Sequence, residues 1–445
     1  MDKTTSSDHL NGLLDIPELE VIDLTEDNNT GDYAFHTVIK HPTTECAFCK
    51  KNSIVKNGKY HRFLRDINIR GHRVGILVTG TRYYCRICHR SFVDRLLCAG
   101  ESDKTTLRLK EYITAESLKK PFLQIEKELD IKSTTIKRYF KEYVADKEKD
   151  YVRYSPDVLG IDEAHLSKGM RGVIVDGTQH NVIELLPDRK IDTIKKYFSS
   201  LPEPNNIKVV TMDMWRPYKE AVNECLPYAS IVIDKFHVIK EMHDLLNKYK
   251  NEVLAQKRPC RIKNSKIKYL ISYKASNLSV EQIEELSAVF DAYPELETAY
   301  GVKEAFHEIY DCNDRASALN AYDNWKAAFP SELNTMRPII GTVENWRQEI
   351  FNYFDYNYTN AITESLNGLI KHLERAGRGY SFDVLRAKVL FGKAAVKPKY
   401  VYNKGRSLGL FKQSYMHTSM FKPKLLYGSG ANIYMLQSLL DNDDL

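Results

Sequence analysis

Several absences narrow the field before any motif is considered. No run of about 18 uninterrupted apolar residues occurs, so no membrane-spanning helix is expected. The first residues carry no basic segment followed by an apolar one, so no secretory signal is expected either. A chain kept in a reducing compartment is not expected to form disulfides, and its 8 cysteines need another explanation. Charge of one sign is nearly missing from two segments. Residues 1–44 hold two basic and nine acidic side chains, and residues 377–430 hold eleven basic and one acidic.

The rest of the composition is ordinary. The 445 residues are 43% hydrophobic and 28% charged, which suits a globular chain of about two to four domains. The net charge of +6 is mild, yet residues 45–100 concentrate twelve basic side chains against three acidic ones. Two basic blocks imply a polyanionic partner.

Residues 1–18 read as loosely attached. Leu19 to Leu24 and Tyr33 to Ile39 read as a hairpin that could lie as a lid on the next domain, so residues 1–44 form an acidic tail and hairpin. Cys46-Ala-Phe-Cys49 and Cys85-Arg-Ile-Cys88 are two matched C-x-x-C knuckles. Four thiolates in such pairs suit tetrahedral structural Zn2+, with residues 45–98 as a zinc ribbon and His61, His72 and His89 as spare neighbours. The ribbon would display Lys56, Lys59, Arg62, Arg65, Arg70 and Arg73 towards phosphates. Cys98, Cys225, Cys260 and Cys312 stand alone and are read as buried or free thiols.

Three helical segments come next: Leu107 to Leu118, Pro121 to Leu129, and Thr134 to Val144 capped by Ser133. With Ile136, Tyr139 and Phe140 inward, residues 102–150 read as a helix-turn-helix DNA-binding domain. Thr134, Thr135, Lys137, Arg138 and Lys141 face outward, and Lys147 to Arg153 reads as a charged linker.

Val158-Leu-Gly-Ile-Asp162-Glu163 reads as an apolar strand delivering an acidic pair at its end. An unpaired charge at a core edge is expensive, and a metal ion is a common partner. Arg171 to Val175 and Val182 to Leu186 are strands around an Asp176-Gly177 turn, and Ile191 to Leu201 has helical spacing. Ile207 to Asp213 and Ser230 to Asp234 are further strands ending in Asp. With the first and fourth strands adjacent, Asp162 and Asp213 face each other and can hold magnesium. Glu163 points to the opposite face, Asp176 serves its turn, and Asp234 either caps the next helix or joins the site. Residues 155–238 are thus the first part of an α/β core.

Residues 239–350 read as an all-helical insertion, with Ser279 and Gln282 forming a capping box and Trp325 and Trp346 in the core. In 351–395, Ile362, Leu366, Leu369, Ile370 and Leu373 make a helical apolar stripe. Asn360, Glu364, Asn367 and Lys371 lie on another face, and Lys371, Arg375 and Arg378 suit DNA lying along the helix. Gly377-Arg378-Gly379 ends that helix. The basic segment beyond it, including residues 396–445, interleaves Tyr380, Phe382, Tyr400, Tyr402 and Phe411. It is read as tracking DNA or a partner subunit.

Taken in order, the two C-x-x-C pairs, the helix-turn-helix, Gly160-Ile-Asp162-Glu163, Met212-Asp213-Met-Trp-Arg-Pro-Tyr218, Asp234-Lys-Phe-His237 and Asn360-Ala-Ile-Thr-Glu364-Ser-Leu-Asn367 resemble the ISL-three family of bacterial insertion-sequence transposases. The resemblance runs from about residue 40 to about 395. It implies a multidomain α+β protein whose mixed α/β core is ribonuclease H-like. It also implies a catalytic Asp-Asp-Glu triad of Asp162, Asp213 and Glu364, with His237 in a D-x-x-H motif. Asp213 and Glu364 stand 151 positions apart, which agrees with a helical insertion between them. Ser365 replaces the Gly common in the family after this Glu. Two Mg2+ (or Mn2+) ions held by the triad would support strand cleavage and strand transfer on double-stranded DNA, acting on terminal inverted repeats and a target. The resemblance further implies a homodimer and a cytoplasmic, nucleoid-associated bacterial protein. A DNA-binding regulator without chemistry, or a nuclease without strand transfer, would be the other classes.

Overall fold

The computed structural model describes residues 3–257 and 261–392. They form two compact units, one ending at Tyr151 and one beginning at Val152.

The first unit opens with α1 (Lys3–Leu14), then β1 (Leu19–Glu26), β2 (Tyr33–Ile39), β3 (Ile54–Ile69), β4 (His72–Cys85) and β5 (Ser91–Val93). Their sheet runs β1-β2-β4-β3, with β5 paired to β4. Alternate residues of β4, Val74, Ile76 and Val78, point into a core completed by Leu64, Phe35, Leu19, Val21, Leu14 and Ile16. Two expectations change here. The described end of the 1–18 segment is not loose, because Leu14 and Ile16 are buried. The acidic hairpin is not a lid on the ribbon. Its β2 lies parallel to β4, Tyr33 beside Val74 through Val38 beside Thr79. The hairpin extends the sheet beside β4, and its Val21 and Phe35 join the same apolar core.

Three helices complete the unit: α2 (Leu107–Lys119), α3 (Phe122–Leu129) and α4 (Ser133–Asp150). Thr106 caps α2 by accepting from the Leu109 amide. Asp130 ends α3 in a left-handed conformation. The chain then turns so tightly that Lys132 takes the N-cap position of α4, and Ser133 lies inside the helix instead of capping it. Ile136, Tyr139 and Phe140 are buried as expected. Nothing in Lys147–Asp150 breaks the helix, so the first part of the expected linker is its last turn, while the division between the two units falls after Tyr151, inside the expected segment. Asp66 of β3, fully buried, accepts from Thr106 Oγ1 at 2.6 Å and pairs with Arg108 of α2, whose guanidinium also donates to the Leu14 carbonyl. One carboxylate thereby joins sheet, α1 and α2.

The second unit begins with β6 (Val158–Leu166), β7 (Gly169–Asp176), β8 (Asn181–Leu185), α5 (Ile191–Phe198), β9 (Val209–Met212), α6 (Arg216–Cys225) and β10 (Ser230–Ile233). The sheet order is β10-β9-β6-β7-β8. The pairs β6–β7 and β7–β8 are antiparallel, whereas β6–β9 and β9–β10 are parallel. Leu159 and Ile161 of β6 face a core shared with α5 and α6, while Ala164 and Leu166 face the opposite one. β6 does not stop at its acidic pair. It turns back through Gly169, at φ +112°, and pairs along its whole length, so Asp162 sits mid-strand. Asp176 serves its turn as expected, accepting from the Thr178 and Gln179 amides.

Helices α7 (Lys235–Gln256), α8 (Asn264–Ser272), α9 (Val280–Ala292), α10 (Pro294–Ile309), α11 (Arg315–Ala327), α12 (Pro338–Asn345), α13 (Arg347–Phe351) and α14 (Tyr353–Tyr356) continue the chain without a strand among the described residues. Ser279 and Gln282 form the expected capping box, and Trp325 and Trp346 are buried. Last come α15 (Ala361–Gly377) and α16 (Phe382–Phe391), whose Leu366, Ile370, Leu385 and Val389 cover the Ala164 face of the sheet. The basic segment after Gly377 therefore starts as part of the core rather than as a DNA-tracking strap. Arg386 neutralises the buried Glu184, Lys388 is itself buried, and Tyr380 and Phe382 pack on the same cluster. Residues 396–445, with Tyr400, Tyr402 and Phe411, and the lone Cys260 lie outside the described residues.

Removing Arg108 would leave Asp66 buried and unpaired. Arg108→Ala is expected to destabilise the first unit by roughly 3 kcal/mol. All 3 tryptophans lie beyond Tyr151, so fluorescence would miss the change. Amide hydrogen exchange along β3 and β4 would detect it.

Candidate active site

In the first unit the four knuckle cysteines converge. Cys46 and Cys88 sulfurs stand 3.5 Å apart and those of Cys49 and Cys85 3.6 Å apart, and all four lie within 4.8 Å of one another. The two knuckles are built alike. Each second cysteine is followed by a residue in the left-handed region, Lys50 or His89. That residue's amide donates back to the carbonyl of Cys46 or Cys85. Burial alone would push the Cys46 thiol up, but amides of Cys49 and Phe48 outweigh it and bring it to about 6. Burial and bonds to Cys46 and Cys85 push Cys88 up to about 12. A tetrahedral ion about 2.3 Å from each sulfur needs sulfurs about 3.8 Å apart, so the set fits zinc. His61, His72 and His89 are engaged elsewhere, with Thr79, the Thr30 carbonyl and Tyr84.

The basic row on β3 and β4 divides. Lys56, Lys59 and Arg70 are exposed. Arg62 donates to the carbonyls of Gly100 and Asp103. Arg65 donates to the carbonyls of Val74 and Leu129, and Arg73 pairs with Asp32 and Asp130. These three arginines hold the sheet to the segments around α2 and α3. On α4, Thr134 and Lys137 are exposed and Thr135 is half-buried. Arg138, also exposed, pairs with Glu142 and lies over the Tyr139 ring.

In the second unit an acidic centre forms beneath α15. Asp162, 9% exposed, points to the α15 side of the sheet. Gly160 lies two residues before it on the same face. A Cβ there would stand 2.6 Å from Thr363 Oγ1, so glycine permits the close approach of α15. Both oxygens of Asp162 are held, Oδ1 by the Glu163 amide and Oδ2 by Asn367 Nδ2, each at 2.6 Å. Burial, and then the charge of Asp213, push its pKa up to about 7. Asp213 comes directly after β9, which lies next to β6. Its Oδ2 meets His237 Nε2 at 2.9 Å, and its Oδ1 accepts from Asn360 Nδ2 at 3.4 Å. Asp213 and Asp234, flanking His237, raise the imidazole to about 10.

Asp234, fully buried, does cap α7, accepting from the Phe236 amide. It also belongs to the centre, for Asp234, His237 and Glu364 can each bring one ligand atom within 4.8 Å of the others. Glu364 is exposed on the first turn of α15, and burial and the charge of Asp234 raise its pKa. Lys371 is half-buried, and Arg375 and Arg378 are exposed, Arg378 in the left-handed residue that ends the helix. Glu163 faces away and pairs with Arg189. Neighbouring carboxylates raise the pKa of both Asp162 and Glu364, the mark of a centre short of a cation, and the donor set of oxygens with one imidazole suits a divalent one.

A family model described as a transposase, the DDE type of the ISL3 group, matches residues 159–389, from the start of β6 into α16. The chain belongs to the ISL3 transposase family. It is also 26% identical, over 332 residues, to the transposase for insertion sequence element IS1001 of Bordetella parapertussis, covering 72% of this chain and 81% of that one. Among the described residues of this ISL3 transposase no helix is long and apolar enough to cross a membrane. Sequence reasoning placed Asn360 and Asn367 on the polar face of α15 but assigned them no task. Their spacing from Glu364, one turn before and almost one turn after, was the available signal.

The sulfur geometry sets a direct test. The purified protein is expected to carry one zinc per chain by elemental analysis. Cys46→Ala should lose most of it, and chelation should unfold the knuckles, exposing the β4–β5 amides to exchange.

Proposed function

We propose that the protein is the transposase of an insertion sequence, one that recognises the element's terminal inverted repeats and performs metal-dependent strand cleavage and strand transfer. The observation that carries the reading is the placement of Asp162, on β6, within electrostatic reach of Asp213, at the end of the adjacent parallel β9, and of Glu364 on the helix above them. Three antiparallel strands joined to two parallel ones, in the order β10-β9-β6-β7-β8, support a ribonuclease H-like core.

In this reading Asp162, Asp213 and Glu364 are the catalytic carboxylates. A divalent cation bound there, magnesium or manganese, would supply the positive charge that polarises a phosphodiester and acidifies a water or 3′-hydroxyl. The chain's own groups hold the geometry. Asn367 and the Glu163 amide fix both oxygens of Asp162. His237 and Asn360 hold Asp213 from two sides. Glu364 stays exposed, where a DNA backbone can approach, and Lys371 and Arg375 repeat on its helical face at i+7 and i+11. Those two and Arg378 take phosphates.

The zinc knuckles have a structural task. Lys56, Lys59 and Arg70 remain the phosphate contacts of that unit. The start of α4, with Thr134, Thr135, Lys137 and Arg138, reads base edges and backbone. The protein acts on DNA in the bacterial cytoplasm, at the nucleoid, as a homodimer that holds two element ends.

Cleavage of labelled DNA carrying the element's own terminal repeat, in magnesium, tests the chemistry. Wild type should cut, and Asp162→Asn should lose roughly a thousandfold or more, the loss of several kcal/mol of transition-state charge stabilisation. Equal cleavage by both proteins would sink the assignment. Joint substitution of Lys137 and Arg138 by Ala should weaken repeat binding. The slope of log affinity against log salt should fall by about 0.9 for each phosphate left without its cationic side chain.

A further inference from the structure

The polar atoms of the acidic centre are not all satisfied. Asp234 is fully buried and uses Oδ1 to cap α7, yet its Oδ2 has no hydrogen-bond partner. His237 commits Nε2 to Asp213, yet its Nδ1 is also buried without a hydrogen-bond partner. The two orphaned atoms face each other at 3.8 Å. That separation is too long for a hydrogen bond. The two atoms make a loose ion contact, and neither has the hydrogen bond that buried polar groups ordinarily make. The Tyr310 hydroxyl senses the charge of Asp234 but makes no bond to it. Two bonds of about 2.1 Å to one shared ion span such a gap comfortably. Glu364 can bring a carboxylate oxygen within 4.8 Å of both atoms from the exposed side.

The geometry points to a divalent transition-metal seat made of Asp234 Oδ2, His237 Nδ1 and a Glu364 oxygen, with Asp213 as the outer partner that fixes the imidazole. A carboxylate accepting from the second ring nitrogen of a metal-bound histidine is the usual outer arrangement of such sites. One imidazole among two carboxylates favours manganese, cobalt or zinc over magnesium, which prefers oxygen alone. The seat shares Glu364 with the proposed catalytic centre and rests on that reading for its role. Its key atoms are separate from Asp162. Asp234 then has two tasks on its two oxygens, one starting α7 and one holding the ion.

The two tasks can be parted. Asparagine caps a helix as well as aspartate does, so Asp234→Asn keeps the cap and replaces only the ligand oxygen. The probe is Mn2+ added to the full-length, zinc-replete protein without DNA, with pulsed electron paramagnetic resonance and calorimetry as the readouts. Wild type is expected to show 14N coupling from a coordinated imidazole, and His237→Gln to lose it. Asp234→Asn should bind Mn2+ more weakly by a factor on the order of 10 or more, at an unchanged melting temperature. Bound Mn2+ without nitrogen coupling, or equal affinity in Asp234→Asn, would overturn the seat. So would wild type that takes up no Mn2+. If Asp234→Asn melts early, the His237→Gln spectrum alone decides. A chain inactivated by Asp162→Asn whose Mn2+ sees no nitrogen would lose this seat and keep its proposed function.

Discussion

A carboxylate placed in the middle of a buried strand has to be compensated, and the compensation of Asp162 orders much of the second unit. Its face of β6 is otherwise apolar, with Ala164 and Leu166 packed against Leu366 and Ile370 of α15. The same helix that supplies those apolar contacts supplies Asn367, whose amide reaches Asp162. Apolar and polar needs are therefore met by one element in one register. A shift of α15 by a single residue would rotate its polar stripe by about 100° and leave Asp162 against a methyl group. Gly160 belongs to the same requirement, since its missing side chain sets how near α15 can lie.

The centre was partly legible in the sequence, for reasons that differ by residue. Asp162 and Asp213 stood out because each interrupts or ends an apolar run, which few carboxylates do without a task. Glu364 stood out by spacing within an ordered set of motifs. Asn360 and Asn367 did not, because an amide on a polar helical face looks the same whether it meets water or a buried carboxylate. Asp234 was ambiguous for a different reason. Capping and membership of a polar cluster use different oxygens of one side chain, so the two readings were never exclusive. The strand does not end at Asp162, because a charge by itself is no end signal when the backbone still has a partner. Backbone pairing with β7 continues past it at no cost to the buried face.

Charge density was the weaker guide in the first unit. A run rich in Lys and Arg reads as a surface for polyanions, and Lys56 and Lys59 do keep their point charges in water. Arginine is different. Its fork of donors suits carbonyls and carboxylates at helix ends and turns; Arg62 and Arg65 are spent on carbonyls and Arg73 on two carboxylates. Arg65 reaches the Leu129 carbonyl and Arg73 the Asp130 carboxylate, both at the end of α3. The α2–α4 helices are thus fastened to the sheet by the very side chains whose count suggested DNA. The acidic hairpin is used similarly, with Asp32 neutralising Arg73. Opposite charge blocks that are adjacent in sequence partly serve each other.

The helical segment between β10 and α15 also has a part in the centre, because of where it starts. Asp234 and His237 occupy the N-cap and the first turn of α7, whose Val238, Met242 and Leu246 are buried in the large core. Further along the same segment, Asn352 donates to the Ile231 carbonyl of β10, and Lys235 donates to the Tyr353 hydroxyl. The strand that delivers Asp234 is therefore gripped at both edges of the insertion. An imidazole on a first helical turn would otherwise swing through its rotamers at little cost. Here the helix carrying it is anchored along 22 residues of packed chain, Lys235 through Gln256. Rigid placement of His237 against Asp213 results from that anchoring. The long gap before Glu364 then has a structural sense, since what fills it holds the neighbouring ligands in place.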